Sequence, residues 1–265
     1  MENELIPTLK LSLEMTDVLA KIEYNGLKIN LDTLEHIRDE YETEMYELER
    51  LLADLARDAM GDTPINLASP DDRSMLLYSR KVADKTLWSQ VFNLGHEVRG
   101  STRKPKMRTR MRAKEFKENV RGLTRVVYKT EGQRCPDCDG EGRFHPLRKD
   151  GTLSKAVRVC KTCRGTGVLY RSTGEVAGFK LVPRNPMDVA SAGFKTDKVT
   201  LEERAPELDG AARDFAESYV RYNALRTYLT TFVEGMQNNV DENGFIHPEF
   251  MQCVTATGRL SSRNP

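Results

Sequence analysis

Two short cysteine motifs constrain the folding of this chain more than any other feature of its sequence. Cys135 and Cys138 form one C-x-x-C motif, Cys160 and Cys163 form a second, and 21 residues separate them. Each motif is followed by x-G-x-G, and these glycines can adopt the positive-φ conformations that a tight cysteine turn needs. Four thiolates suit a structural, tetrahedral Zn²⁺ site with no position left open for water.

Two other interpretations of these four cysteines are a pair of disulfides and a redox-active C-x-x-C. The N-terminus is acidic and lacks the basic region of a signal peptide, and no run of about 18 apolar residues occurs. We therefore expect a cytoplasmic protein whose thiols stay reduced, which disfavours disulfides. Two matched motifs also favour one shared ion over a redox centre. The predicted zinc ligands are Cys135, Cys138, Cys160 and Cys163.

Two long amphipathic helices, far apart in the sequence, flank the cysteine-containing region. Apolar residues alternate steps of three and four in both, as in a coiled-coil seam. The first series is Leu34, Ile37, Tyr41, Met45, Leu48, Leu52, Leu55 and Ala59, and the second is Phe215, Tyr219, Tyr222, Leu225, Leu229, Phe232 and Met236. A narrow seam needs a partner helix, so we predict an antiparallel stalk whose tip is elaborated by everything between the two helices. A shorter series, Leu11, Met15, Val18 and Ile22, predicts a preceding helix.

Charge is segregated along the chain, although the formal net charge is only +1. The stretch from Arg99 to Lys129 holds twelve Lys or Arg against Glu115 and Glu118, whereas residues 32–60 are mostly acidic. Such a stretch indicates a polyanionic partner for this region, although a solvated charged face is the plain alternative. Its high arginine content favours phosphate binding. The predicted DNA contacts are Arg103, Lys104, Lys106, Arg108, Arg110 and Arg112.

The last eleven residues of the sequence carry its closest resemblance to a known family. They read TATGRLSSRNP and resemble the T-x-T-G-R-L-S-S-x-[DN]-P stretch that opens the palm of family A DNA polymerases, the bacterial DNA polymerase I class. In that family the stretch grips the primer–template duplex, and its arginine reaches into the minor groove, where acceptors recur at every base pair. The resemblance implies DNA contacts for Thr257, Arg259 and Ser261.

Further stretches resemble the thumb of the same family. They are DVLAKIEYNGLKI at residues 17–29, the N-[LI]-x-S phosphate-contacting loop at Asn66–Ser69, and the G-[RK]-[IL]-H motif at Gly244–His247. The resemblance covers residues 5–80 and 190–265 and implies phosphate contacts for Asn66 and Ser69. The cysteine unit itself resembles the repeats of DnaJ-type co-chaperones, but the J-domain His-Pro-Asp tripeptide does not occur. Chaperone function is therefore not implied.

Together these patterns predict a mainly α fold. It consists of an antiparallel long-helix stalk, the polymerase thumb, with a small zinc-ribbon β insertion at the tip and a short β start of the palm. The predicted segments are 1–80 for the thumb N-terminal helices, 81–130 for a basic insertion, 131–190 for the zinc-binding insertion, 191–240 for the thumb C-terminal helices and 241–265 for the start of the palm.

The resemblance implies part of a phage-like, DNA-directed DNA polymerase, a nucleotidyltransferase that acts in DNA replication with two Mg²⁺ ions. In that family two palm aspartates, in D-Y-S-x-I-E and H-D-E, hold the ions, and neither motif occurs in these 265 residues. We expect a chain that holds primer–template DNA, binds no catalytic Mg²⁺ itself and needs the remaining palm and fingers for activity. Because the family motif continues beyond Pro265, we expect a truncated record or a gene interrupted by an intron, an intein or a split.

Two other hypotheses account for part of the sequence. A non-enzymatic, zinc-dependent nucleic-acid-binding module explains the basic stretch and the cysteines but leaves Gly258–Ser262 unexplained. Alternatively, the insertion is a docking site for a processivity factor, as thumb insertions are in some phage polymerases of this family.

Overall fold

The computed structural model describes residues 2–94, 111–146, 152–191, 193–252, 254–255 and 258–263, with side chains described from residue 9 onward. The chain forms two compact units. The terminal unit combines Met1–Glu49 with Arg221–Pro265, and the central unit is Arg50–Val220. In the described part of the chain, no helix is long and apolar enough to cross a membrane.

Helices predominate among the described residues, and the strands are short. The helices are α1 (Glu2–Asn25), α2 (Leu31–Met60), α3 (Pro70–Tyr78), α4 (Lys85–Val91), α5 (Ala113–Leu123), α6 (Lys198–Arg204), α7 (Ala211–Thr227) and α8 (Glu234–Asn239). A π-helical segment, Tyr228–Val233, joins α7 to α8, and short 3-10 helices occupy Pro186–Asp188 and Ala205–Glu207. The predicted mainly α fold is confirmed.

The described strands pair two by two, and every pair is antiparallel. The pairs are β1 (Leu27–Lys28) with β10 (Phe245–Ile246), β2 (Arg80–Val82) with β3 (Thr124–Val126), β4 (Tyr128–Arg134) with β7 (Val168–Val176), β5 (Arg143–Phe144) with β6 (Arg158–Val159), β8 (Val189–Ala190) with β9 (Gly193–Phe194), and β11 (Glu249–Met251) with β12 (Ser261–Arg263). The two-stranded sheet of β4 and β7 leads to the cysteine motifs.

In the terminal unit, the first half of α2 packs antiparallel against the end of α7, the π-helical segment and α8. Its buried centre joins Leu34 to Leu229 and Val233. The rings of Tyr41 and Tyr228 lie 6.0 Å apart between centroids. Arg38 donates to Gln237, whereas Glu44, farther along α2, pairs with Arg221. From Arg38 through Tyr41 to Glu44 the partner numbers fall from 237 to 228 to 221, so the helices run in opposite directions, as the seams predicted.

The seam on the C-terminal helices departs from prediction at the π-helical segment. Phe232, a predicted seam residue, is 50% exposed, whereas the neighbouring Val233 is 3% exposed. A π turn contains one residue more than an α turn, because its hydrogen bonds run from i to i+5. The next residue after Leu229 to face α2 is therefore Val233. All eight predicted seam residues of α2 are buried or partly buried.

Helix α1 also differs from its predicted apolar stripe. Leu11, Val18 and Ile22 are exposed, and Leu19, which lies outside the predicted stripe, is 5% exposed. The side of α1 that packs within the terminal unit is therefore the Leu19 side. Helix α1 contacts the β11 region, whose residues donate to it the hydrogen bonds described below.

The core of the central unit is an aromatic cluster around the single tryptophan. Trp88 on α4 is fully buried, and its indole N–H donates to the Ala190 carbonyl at 2.8 Å. Its ring contacts Phe92 and Phe194 edge to face, with centroids 4.6 Å and 5.5 Å away. Phe116 of α5 extends the cluster through Phe92. Helices α4 and α5, within the predicted basic insertion, are thereby fixed to strand β9, which lies beyond the zinc-binding insertion in the sequence.

The sheet that carries the cysteine motifs is anchored at the end of α2. The Asp62 N–H donates to the Thr130 carbonyl, and the Asp62 carboxylate accepts from Gly132 N–H, both at 2.8 Å. Gly61 makes this approach possible, since a Cβ there would lie closer than 3.0 Å to the Thr130 backbone. The cysteines therefore stand on an ordered support within the central unit.

Candidate metal centre and candidate DNA contacts

The structure brings the four cysteines of the two motifs together into one buried cluster. All four sulfurs lie within 4.8 Å of one another. The Cys135 and Cys160 sulfurs are 3.8 Å apart, and those of Cys138 and Cys163 are 3.6 Å apart. These distances are far longer than a disulfide bond of about 2.05 Å, and all four thiols are free. Leu169 packs against the cluster and shields one side from water.

The cluster has the geometry and donor chemistry of a closed zinc site. Zinc–thiolate bonds are about 2.3 Å long, so a regular tetrahedron of four sulfurs has edges of about 3.8 Å. The two measured separations are close to that edge. Four thiolates fill the coordination shell, so a metal held here has a structural role.

The two cysteine turns hold each other through matching backbone hydrogen bonds. Cys135 N–H donates to the Gly167 carbonyl at 2.9 Å, and Cys160 N–H donates to the Gly142 carbonyl at 2.8 Å. Each turn also directs a glycine N–H at its second sulfur, Gly142 to Cys138 and Gly167 to Cys163. The two C-x-x-C-x-G-x-G units are therefore related as near-equivalent halves of one structure.

Glycine is required where the two halves meet. Gly142 has a φ of +72° and Gly167 a φ of +75°, which L side chains rarely adopt. A Cβ on Gly142 would lie closer than 3.0 Å to the Gly165 carbonyl, and one on Gly167 equally close to the Gly140 carbonyl. The second glycine of each x-G-x-G therefore permits the close approach of the two turns.

The two sulfurs nearest these glycine amides differ in acidity. Burial raises the pKa of Cys138 to about 12. Burial also opposes ionisation of Cys163, but hydrogen bonds from the Gly167 and Gly165 N–H groups and from the Cys138 and Cys160 side chains together lower the Cys163 pKa to about 6. A coordinated cation deprotonates thiol ligands outright, so a metal would hold both as thiolates.

The predicted phosphate loop uses its two polar side chains within the protein. The Asn66 side chain accepts from the Ala68 N–H at 2.9 Å, and Ser69 is the N-cap of α3. The first turn of α3 carries Asp71 and Asp72, and Asp72 accepts from the Asn66 N–H. Asn66 is nevertheless exposed, so its contact with phosphate stays a prediction.

The C-terminal motif forms the edge of a small hairpin in the terminal unit. Ser261 lies on β12, opposite Met251 of β11. Arg259 is exposed, and its carbonyl accepts from the Thr255 hydroxyl at 2.7 Å, which fixes the turn at Gly258. Thr257 lies outside the described residues. The Arg259 side chain is thus accessible just before β12.

Three residues that sequence reasoning quoted without a role position this hairpin. Glu23 accepts from the Phe250 N–H through its carboxylate at 2.5 Å, and its carbonyl accepts from His247 Nδ1 at 2.7 Å. Gly26 lies so close to His247 that a Cβ would fall within 3.0 Å of the imidazole. In the sequence, the only indication of a role for these three residues was that they fall in two family motifs. Neither motif alone predicts that they contact each other.

Most of the predicted basic contacts lie outside the described residues, namely Arg103, Lys104, Lys106, Arg108 and Arg110. Arg112 is described: it is exposed and stands at the N-cap of α5 without a capping side-chain hydrogen bond. Its guanidinium is therefore not needed to cap the helix.

Comparison with known proteins finds similarity to DNA polymerases over part of this chain. Residues 176–265 match the family described as DNA polymerase family A. The chain is also similar to a protein named DNA polymerase I from Treponema pallidum (strain Nichols), with 36% identity over 73 residues. That alignment covers 28% of this chain and 7% of the relative, so the chain spans only a small part of the relative's length.

Proposed function

We propose that this chain, whose residues 176–265 belong to DNA polymerase family A, is the thumb and first palm portion of a DNA-directed DNA polymerase. In this proposal it grips the primer–template duplex during replication. The observation that carries the proposal is the exposed Arg259, which lies in the matched region just before β12, the strand that pairs with β11. An arginine in the minor groove meets acceptors at every base pair, which suits an enzyme that copies any sequence.

The chemistry of nucleotide transfer is assigned to other parts of the polymerase. The two aspartate motifs that hold Mg²⁺ in the family do not occur in this sequence. The remaining palm and fingers would supply them, and exposed Leu11, Val18 and Ile22 on α1 offer apolar surface for such a partner. The cytoplasmic location and the phage-like class stay predictions.

The cysteine cluster is proposed to bind one structural Zn²⁺ ion. The four-thiolate donor set and the sulfur separations near 3.8 Å support zinc. The ion would join the two cysteine turns, which also contact each other through backbone hydrogen bonds and a hydrogen bond from the Thr162 hydroxyl to the Asp137 carboxylate. Its role is to fold the insertion rather than to react with the substrate.

The basic stretch is proposed to bind phosphates of the same duplex. Each neutralised phosphate releases condensed counterions and contributes about 0.9 to the slope of log affinity against log salt. Six contacts, from Arg103, Lys104, Lys106, Arg108, Arg110 and Arg112, therefore correspond to a slope near −5. Replacing all six with Ala is expected to reduce the slope and to weaken binding to every duplex sequence about equally.

One experiment separates these contacts from the minor-groove contact. Arg259→Ala is expected to loosen the primer end, measured by fluorescence of a 2-aminopurine at the terminus, with little change in the salt slope. Arg263→Ala is the matched control, because Arg263 is an exposed arginine on β12 at a position where the family motif accepts any residue. Equal effects of Arg259→Ala and Arg263→Ala would refute the assigned grip.

The non-enzymatic zinc-dependent nucleic-acid-binding module remains the second candidate. It shares the cysteine cluster and the basic stretch, but the match of residues 176–265 supports the polymerase instead. The two candidates differ in the primer-end measurement. A binding module binds the interior of a duplex and a primer end equally well. In that case Arg259→Ala would not weaken binding at the primer end more than binding to the duplex interior.

A further inference from the structure

The central unit contains a cavity of about 450 Å³ that the proposed polymerase function does not use. Four separate segments enclose it: residues 78–80, residues 116–121 of α5, Val126 of β3, and Val176 of β7 with the nearby residues 180–183. Binding cavities for small ligands and single side chains fall in the same size range. Because helix, strands and loop all contribute, the cavity is formed by the fold itself.

The floor of the cavity is apolar. Phe116, Val120 and Leu181 are buried beneath it. Val126 and Val182 continue the apolar surface to the rim, where they are 37% and 66% exposed. An accessible apolar surface inside a concavity favours burial of an apolar group from a ligand.

The rim of the cavity is positively charged. Arg80, Lys117, Arg121 and Lys180 line it, and no Asp or Glu does so among the described residues. None of these four cations forms an ion pair with another described residue. Four cations without acidic partners around one concavity attract a ligand with several negative charges.

The neutral polar groups of the lining already have partners. The Ser79 hydroxyl accepts from the Lys180 N–H at 2.9 Å, and the Tyr78 hydroxyl donates to the Lys195 carbonyl at 3.2 Å. The floor therefore offers few groups for the hydrogen bonds of a base or a sugar. This arrangement favours an apolar side chain flanked by carboxylates over a nucleotide.

We propose that this cavity docks an acidic peptide segment of a partner protein. One apolar side chain of the segment would enter the cavity over Phe116 and Val120, and neighbouring carboxylates would pair with Lys117 and Arg121. These two cations lie one helical turn apart on α5, on the side next to the apolar pair. Charge complementarity identifies the partner, because every charged residue among the described lining residues is basic.

The backbone around the cavity is held in an uncommon conformation that keeps its shape. Lys180 has a φ of +56° and Ser79 a φ of +58°, and the hydrogen bond from Lys180 to Ser79 joins them. Gly178, just before, lies so close to the Leu76 carbonyl that a Cβ would approach within 3.0 Å. The backbone of a lysine rarely adopts the left-handed conformation, and residues in such uncommon conformations cluster at binding sites. The site is therefore preorganised for its ligand.

The proposal is tested with a short fluorescein-labelled peptide that contains one phenylalanine between aspartates. Fluorescence anisotropy with the full chain is expected to show saturable binding. The double variant Lys117→Glu/Arg121→Glu is expected to bind about tenfold more weakly or worse, because two partly exposed ion pairs contribute about 0.7 kcal/mol each. The matched control is Lys114→Glu/Arg125→Glu, which makes the same charge change at exposed positions of α5 and β3 outside the lining.

A second variant tests the apolar part of the site. Val182→Asp places a carboxylate on an exposed rim position, so it is expected to fold and to weaken binding. A peptide with serine in place of phenylalanine is also expected to bind more weakly. Equal losses in the two double variants, no effect of the phenylalanine, or tighter binding of a mononucleotide would each overturn the proposal. The assay contains no DNA, so its outcome does not depend on the polymerase assignment.

Discussion

Substitution of Gly167 with alanine tests whether the close approach of the two cysteine turns supports metal binding. The φ of Gly167 is +75°, so alanine there costs about 1–2 kcal/mol in backbone conformation alone. The new Cβ would also lie closer than 3.0 Å to the Gly140 carbonyl of the opposite turn. Relief of that contact needs a backbone shift, which typically costs about a further 1–3 kcal/mol.

Gly174→Ala is the matched control for the conformational part of this effect. Gly174 has a similar φ of +84°, but a Cβ there meets no atom within 4 Å. The shift in Gly167→Ala separates two turns that share the proposed ion, so its additional cost should appear in zinc affinity. A cost of about 1–3 kcal/mol corresponds to about 5-fold to 150-fold weaker binding.

Zinc affinity of both variants is measured by competition with a chromogenic chelator. We expect Gly174→Ala to bind zinc like the parent chain while its thermal unfolding temperature falls. Gly167→Ala should lose zinc at lower chelator concentration. If both variants hold zinc equally well, the contact between the turns does not support the site and the argument from glycine geometry is wrong.

Three further predictions follow from the cluster, the helix pair and the missing catalytic motifs. Elemental analysis should find about one zinc per chain, and Cys163→Ser should lose it and unfold the insertion while far-ultraviolet circular dichroism of the long helices persists. The Glu44 carboxyl has a lowered pKa because the Arg221 side chain donates a hydrogen bond to it. At pH values above the ordinary pKa of 4.5, Glu44→Gln should therefore reduce the free energy of unfolding by at most about 1 kcal/mol, measured by urea unfolding. This difference between the variant and the parent chain should vanish as the pH falls through the lowered pKa of Glu44 in the folded state. The chain alone should incorporate no nucleotide on a primed template with Mg²⁺, whereas addition of a family A palm and fingers should restore incorporation; activity of the chain alone would contradict the assignment.

The features that sequence reasoning predicted well are those with a short repeat or a fixed spacing. The four cysteines could be grouped because a two-residue spacer and two matched copies leave few alternatives. The α2 seam could be placed because its period is local, from Leu34 to Ala59. On the C-terminal helices the same period failed at Phe232, because the sequence contains no evident signal for the π turn that moves Val233 into the seam.

The core of the central unit could not be predicted in the same way. The hydrogen bond from Trp88 to Ala190 spans 102 residues, and its ring meets Phe194 across a similar separation. Such contacts depend on the whole fold, and neither partner carries a local pattern. The cavity beside Phe116 has the same origin, since its lining comes from four distant segments. In the sequence, Lys117 and Arg121 are only two members of the basic stretch from Arg99 to Lys129, and nothing there indicates that they line a cavity.

The two thumb-like motifs of the terminal unit, residues 17–29 and Gly244–His247, contact each other directly. His247 follows Glu23 by 224 residues, yet its imidazole donates to the Glu23 carbonyl. The Glu23 carboxylate accepts from the Phe250 N–H on the strand that pairs with Ser261–Arg263. Gly26 is needed because any side chain would displace His247. The hairpin that presents Arg259 is therefore oriented by residues near the start of the chain. The matched residues 176–265 and the family-like residues 17–29 are thus joined by direct contacts. A substitution of Glu23 should therefore change the position of the Arg259 hairpin, although Glu23 itself is not a predicted DNA contact.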